Sequence, residues 1–121
     1  MNRADVRIET AASLLGKGVK ICAKGFKVTV LAVEYILCDA APSGKALALA
    51  SGKCGIDAKK AYDCVKSCAV TACGSHSEKA SGVKLSAKKF LALLAEETAM
   101  KAYKAAWRDE AAAFYRTGEF F

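Results

Sequence analysis

The feature that most constrains the fold is the apolar stretch from Gly18 to Cys38, GVKICAKGFKVTVLAVEYILC. Its apolar residues recur at steps of three and four, the spacing of one helical face, and they are Val19, Cys22, Phe26, Val30, Val33 and Leu37. The opposite face carries lysines up to Lys27 and becomes apolar from Val28 onward. The pattern therefore predicts a helix over residues 19–38 in the middle of a bundle. The other interpretation is a strand with Phe26, Val28 and Val30 on one side, because these residues alternate with Lys27 and Thr29.

The composition favours helices. The chain has 121 residues, 54% of them hydrophobic, and a single proline, values typical of a helical domain that can bury its own core. We predict an all-α fold, a single compact bundle of four to five helices over residues 1–121, stapled by disulfides. Turn and capping residues place the helices at about 4–15, 19–38, 45–51, 57–73 and 87–117. One long bent helix from 4 to 38 is the alternative to a break at Gly16 and Gly18.

The last predicted helix carries a regular apolar stripe. Ser86 can cap its start, and a large apolar side chain then occupies every seventh position, namely Leu93, Met100, Trp107 and Phe114. Phe90, Leu94 and Tyr103 fill the intervening turns. We interpret this stripe as a packed seam of the core. The alternative is an interface, because the same register suits a helix that lies in a groove of a partner.

The net charge of +7 is concentrated in the middle of the chain. Residues 17–89 carry 13 lysines against five acidic residues, which predicts a basic surface able to attract an anionic partner. The lysines predicted to bind this partner are Lys17, Lys20, Lys24, Lys27, Lys59, Lys60 and Lys66. An acidic protein is the partner we expect, with an anionic membrane surface as the alternative. Few arginines and few free aromatic residues argue against nucleic acid.

Six cysteines form an even set, Cys22, Cys38, Cys54, Cys64, Cys68 and Cys73. In an oxidising compartment they would make three disulfides, which we take as the first interpretation, although spacing alone leaves the pairing open. In a reducing compartment Cys64, Cys68, Cys73 and His76 could hold zinc or copper, but the chain lacks the two Cys-x2-Cys knuckles of a structural zinc site. The third interpretation treats the cysteines as small buried hydrophobic residues.

No catalytic constellation is evident. His76, the only histidine, follows Cys73 by three residues, but no third group to orient the pair can be identified. Two acidic pairs occur on the last predicted helix, Glu96 with Glu97 and Asp109 with Glu110. The two members of each pair are adjacent and point apart, which is typical of solvated positions. Phosphate loops and protease motifs are absent from the sequence. We therefore expect neither an enzyme nor a bound cofactor.

The function predicted from these patterns is that of a non-catalytic helical binding module with a basic surface. The first residues lack the pattern of a signal peptide. The disulfide interpretation predicts that the mature form or a fragment works in the periplasm or outside the cell, and the cytoplasm is the alternative location. By analogy of size and character, such a module could serve bacterial secretion or antagonism, as an immunity or toxin-delivery protein. The alternatives are a cationic membrane-active protein and a cytoplasmic thiolate metal-binding protein.

Overall fold

A computed structural model describes residues 2–81 and 86–116, with side chains for all of these except 73–81 and 115. The described chain forms five helices and no strand, which confirms the predicted all-α bundle. The helices are α1, Arg3–Gly16; α2, Phe26–Asp39; α3, Ser43–Cys54; α4, Ala58–Ser81; and α5, Ala87–Arg116. None of the described helices combines the length and the hydropathy that a membrane crossing requires.

A glycine turn ends α1 and separates it from α2. Gly18 adopts a φ of +90°, which lets the chain fold back so that the Val19 amide donates to the Leu14 carbonyl at 3.0 Å. Val19 and Leu14 are both buried, as is usual for this helix ending. The loop that follows spans residues 17–25, so the central helix begins at Phe26 and not at the predicted residue 19.

Helix α2 occupies the centre of the bundle and contacts each of the other four helices. Its buried residues are Phe26, Val28, Thr29, Leu31, Ala32, Val33 and Glu34. This part of the helix is therefore enclosed around most of its circumference, as the apolar residues on both faces from Val28 onward indicate. Its end is marked by Ala40, which adopts a left-handed conformation with a φ of 51°.

The next two helices are longer than predicted. Helix α3 extends beyond the predicted 45–51 at both ends and terminates at Gly55, whose φ is +69°. Helix α4 continues past Gly74 to Ser81, whereas the sequence predicted a polar loop from Gly74. A glycine inside a helix costs only about 1 kcal/mol, so it does not by itself end one. The predicted terminator of α5, Gly118, lies outside the described residues.

The core seam predicted on α5 is wrong for its residues spaced by seven, which face away from the bundle, whereas Phe90 and Leu94 of the same prediction are buried. Leu93, Met100 and Trp107 are 53%, 49% and 59% exposed. The buried face of α5 is made of Ala87, Phe90, Leu91, Leu94, Ala95 and Thr98. Beyond Thr98, none of the described side chains of α5 is buried. The buried face is thus rotated away from the residues spaced by seven, which remain outside.

Candidate functional site

A cavity of about 560 Å³ lies between the loop 17–25 and one side of α4. The loop approaches α4 most closely at Gly25. A β-carbon there would lie 2.6 Å from the Sγ atom of Cys68 and would also collide with the carbonyl group of Cys64. Only glycine fits this contact without a shift of the backbone. We call this space the cysteine cavity, because the thiols of Cys22, Cys64 and Cys68 all line it.

The three thiols of the cysteine cavity differ in their access to solvent. Cys22 is exposed in the loop and Cys64 is half-buried on α4. Cys68 is only 3% exposed, and burial raises the pKa of its thiol. Because the thiolate is the reactive form of cysteine, Cys68 is the protected thiol of the three and Cys22 the accessible one.

The structure does not support disulfide stapling. The five cysteines with described side chains are free, and no two of them lie at disulfide distance. Cys64 and Cys68 are a helical turn apart on α4, a spacing that does not favour a bridge. Cys38 lies at the C-terminal end of α2 and Cys54 at the C-terminal end of α3. Because a short connection joins the two helices, these C-terminal ends lie at opposite ends of the helix pair. The side chain of Cys73 lies outside the described residues.

The predicted alternative metal site cannot be assembled from the described side chains. Cys73 and His76, two of its four proposed ligands, lie outside them. In the part of the chain whose side chains are described, no group of three or more His, Cys, Asp or Glu residues is arranged to hold a metal ion. Cys22, Cys64 and Cys68 therefore share a cavity without converging on one point.

The seven lysines predicted to bind a partner fall into three groups. Lys20, Lys24 and Lys60 line the cysteine cavity, where Asp63 is the one acidic residue of the described lining. Lys17 points instead toward α5 and pairs with Glu97 at 3.0 Å. The remaining three are exposed elsewhere on α2 and α4, and they are Lys27, Lys59 and Lys66. The predicted basic surface is thus split, with its concave part at the cavity.

A second surface runs along α5, where the sequence favoured a core seam and left an interface as the alternative. Leu93, Met100, Tyr103 and Trp107 are exposed there, and we call them the outer face of α5. The rings of Tyr103 and Trp107 stack with their centroids 6.2 Å apart. Phe114, the last residue of the predicted stripe, is 43% exposed. The sequence does contain a signal for this exposure. On the inner side of the same helix, alanines take the place of large apolar residues after Thr98.

The two flanks of the outer face of α5 differ in chemistry. Lys104 and Arg108 lie on one flank and line a shallow pocket of about 270 Å³ together with Asp109, and neither of them forms an ion pair with a described side chain. The other flank carries the small side chains of Ala99 and Ala106 together with the exposed acidic residues Glu96 and Glu110. Tyr103 also borders a groove of about 450 Å³ between α1 and α5. The groove joins the outer face of α5 to the exposed Ile8 of α1, and the acidic residues Asp5, Glu9 and Asp109 also line it.

Comparison with known proteins yields no relative of this chain. No protein-family model, no curated protein and no solved structure matches it. Its function is therefore argued from the two surfaces just described.

Proposed function

We propose that this protein is a non-catalytic binding module whose outer face of α5 docks against an acidic amphipathic helix of a partner protein. The supporting observation is the division of α5 into two faces. Its inner face packs into the core through Leu91 and Leu94, while Met100, Tyr103 and Trp107 remain about half exposed on the other side. A contiguous apolar patch of this kind marks an interaction surface in a folded protein.

The partner's chemistry follows from what surrounds the apolar stripe. Apolar residues spaced by three, four and seven along a helix suit another helix with the same spacing. The small side chains of Ala99 and Ala106 on one flank let a partner backbone come close. Lys104 and Arg108 on the other flank favour glutamate or aspartate at the edge of the incoming helix. An acidic helix with one apolar face satisfies all three conditions.

This proposal moves the acidic partner from the predicted lysine surface to α5. Only three of the predicted lysines border a cavity, and the loop that carries two of them exposes a single large apolar side chain, Ile21. Aromatic residues are enriched at protein interfaces, and the aromatic pair Tyr103 and Trp107 is on α5. The roles in secretion or antagonism, and the location outside the cytoplasm, stay predictions.

The experiment uses Trp107 as its reporter, because it is the only tryptophan of the chain. The probe is a synthetic tryptophan-free helical peptide with leucines on one face and glutamates along its edges. We expect saturable binding with a blue shift of the Trp107 emission, and about tenfold weaker binding of a peptide with lysines in place of the glutamates. The double substitution Lys104→Glu, Arg108→Glu is expected to reverse this preference.

Matched variants separate a specific contact from general stickiness. Met100→Ser removes an apolar side chain from the outer face of α5, and we expect it to weaken binding about tenfold. Leu49→Ser removes a similarly exposed side chain from α3 and is expected to leave binding unchanged. Equal losses in the two variants, or no spectral change with either peptide, would reject the proposal.

Two other occupants of the outer face of α5 would give different results. Sedimentation velocity that shows a dimer, with the Trp107 emission shifting to the blue as protein concentration rises, would assign the face to a second copy of the chain. A blue shift with phosphatidylglycerol vesicles but not with the glutamate peptide would assign it to a lipid surface. Each of these outcomes overturns the acidic helical partner.

A further inference from the structure

Half of the cysteines of this chain line one cavity that the proposed function does not use. Cys22 enters it from the loop 17–25, and Cys64 and Cys68 enter it from α4. The volume of about 560 Å³ lies in the range of small-molecule sites. The outer face of α5 contributes no residue to its lining. Its chemistry is therefore independent of the contact proposed for α5.

The charges at the cavity favour an anionic ligand. Lys20 and Lys24 approach from the loop and Lys60 from α4, against the single carboxylate of Asp63. None of the three lysines forms an ion pair with a described side chain. A concave surface with a net positive charge raises the local concentration of small anions. Such an ion would enter next to the exposed thiol of Cys22.

The thiols determine what kind of anion can react there. Cys68 is 3% exposed, and the backbone of Gly25 lies directly against it, so an incoming molecule cannot reach its sulfur. Cys22 is exposed and meets the same molecule at the entrance. Thiols of this kind exchange with disulfides, and the rate depends on access to the attacking sulfur.

We propose that the cysteine cavity is a site of reversible thiolation, in which Cys22 forms a mixed disulfide with a small disulfide compound that carries carboxylates. The sulfur of Cys22, after losing its proton, attacks one sulfur of the compound. The original sulfur–sulfur bond breaks, and the second half of the compound leaves as a thiolate that takes up a proton from water. Cys22 is oxidised and the leaving half is reduced, so no further oxidant is needed.

The test compares two disulfides of opposite charge on the native protein. Oxidised glutathione carries carboxylates, whereas cystamine carries only ammonium groups. Adducts are followed by intact mass at low salt and located by peptide mapping. Each rate of adduct formation is then divided by the rate of the same disulfide with the urea-unfolded chain, which gives a normalised rate. We expect one adduct at Cys22, with a normalised rate about tenfold higher for oxidised glutathione than for cystamine.

Three variants and one change of salt test the role of the cavity. The double substitution Lys20→Glu, Lys24→Glu is expected to abolish the preference, and the same reversal at Lys45 and Lys53 on α3 is expected to preserve it. Lys60→Glu repeats the test from α4 in case the loop variant loses helicity by circular dichroism. High salt is expected to reduce the preference, because screening weakens steering.

The proposal is rejected by either of two results. The first is an equal normalised rate for the two disulfides in the native protein. The second is an adduct that forms at Cys38 or Cys54 as fast as at Cys22. Loss of the adduct in Cys22→Ser, with helicity retained, supports the assignment, and an undiminished yield in that variant contradicts it. Peptide binding to α5 is measured separately, so failure of one proposal is distinguishable from failure of the other.

Discussion

At the scale of single residues, Glu34 of α2 is a charged group that the bundle encloses, with its side chain 3% exposed. Arg7 donates from Nε to Oε2 at 2.7 Å and from Nη2 to Oε1 at 2.9 Å. Arg3 adds a third hydrogen bond at 3.1 Å. Hydrogen bonds from Arg7 hold the pKa of Glu34 below its ordinary range, although burial opposes them. The two arginines are spaced by four on α1, so both can reach the same carboxylate.

This arrangement predicts an acid-sensitive contribution to stability. The pKa of Glu34 is lowered in the folded protein, so its contribution is fully present above the ordinary glutamate pKa of about 4.3 and is lost as the pH falls through the lowered value. We expect Glu34→Gln to reduce the free energy of unfolding at pH 7 by about 1–3 kcal/mol, less than for a fully buried pair because both arginines are half exposed. Urea unfolding at pH 7 and pH 3 measures this.

The matched control is Asp39→Asn. Asp39 also accepts a hydrogen bond from Arg3 but is 39% exposed, and exposed pairs contribute at most about 1 kcal/mol. The variant Glu34→Gln is expected to lose less stability between pH 7 and pH 3 than the native chain does. An unchanged loss would show that other carboxylates cause the acid sensitivity.

At the scale of the element, α5 shows that apolar periodicity alone does not identify the buried face of a helix. The residues spaced by seven from Leu93 are the largest, yet the face that starts at Ala87 and includes Leu91 and Leu94 packs into the core. The same holds for α1, where Ile8 is 65% exposed while Leu14 is fully buried. Both helices carry large apolar residues on an exposed face as well as on the buried one, so hydropathy by itself does not identify the buried face.

Adjacent leucines on α5 test which face is buried. Leu94 is 1% exposed and Leu93 is 53% exposed. We expect Leu94→Ala to reduce the free energy of unfolding by about 2–4 kcal/mol, because it leaves a cavity in the core. Leu93→Ala is expected to change it by about 0.5 kcal/mol or less. Denaturation followed by circular dichroism measures both, and a large loss for Leu93→Ala would restore the core seam predicted from the sequence.

At the scale of the whole molecule, the bundle is held together by packing. Helix α2 contacts all four other helices, and the buried residues form one core cluster that draws on every helix. A chain of this length can bury enough apolar surface to fold without crosslinks. The extracytoplasmic location rested on the disulfide interpretation, and it now lacks that support.

We therefore expect stability to be independent of reductant. The melting temperature of freshly purified protein is expected to be the same with and without dithiothreitol, because none of the five described cysteines is paired. Differential scanning calorimetry measures it. A fall of several degrees in dithiothreitol would instead indicate a disulfide worth about 2 kcal/mol or more.

The local features of the sequence determined the fold class and the order of the helices. Ser86 shows how directly this works, since its hydroxyl accepts from the Lys89 amide at 3.2 Å as a helix cap. Apolar repeats and caps act within a few residues of the chain, so they can be recognised without knowing the neighbours. The central position of α2 could be predicted in the same way, because its apolar surface is too wide to be covered by a single neighbouring helix.

Only the tertiary structure decided which faces are covered and which residues meet. Cys22 shares a cavity with Cys64 because Gly18 and Gly25 let the loop turn back against α4. Glu34 is buried because α1 brings two arginines to it, and Trp107 is exposed because no described element covers that side of α5. Burial depends on contacts between segments far apart in the chain, and a local pattern does not contain this information.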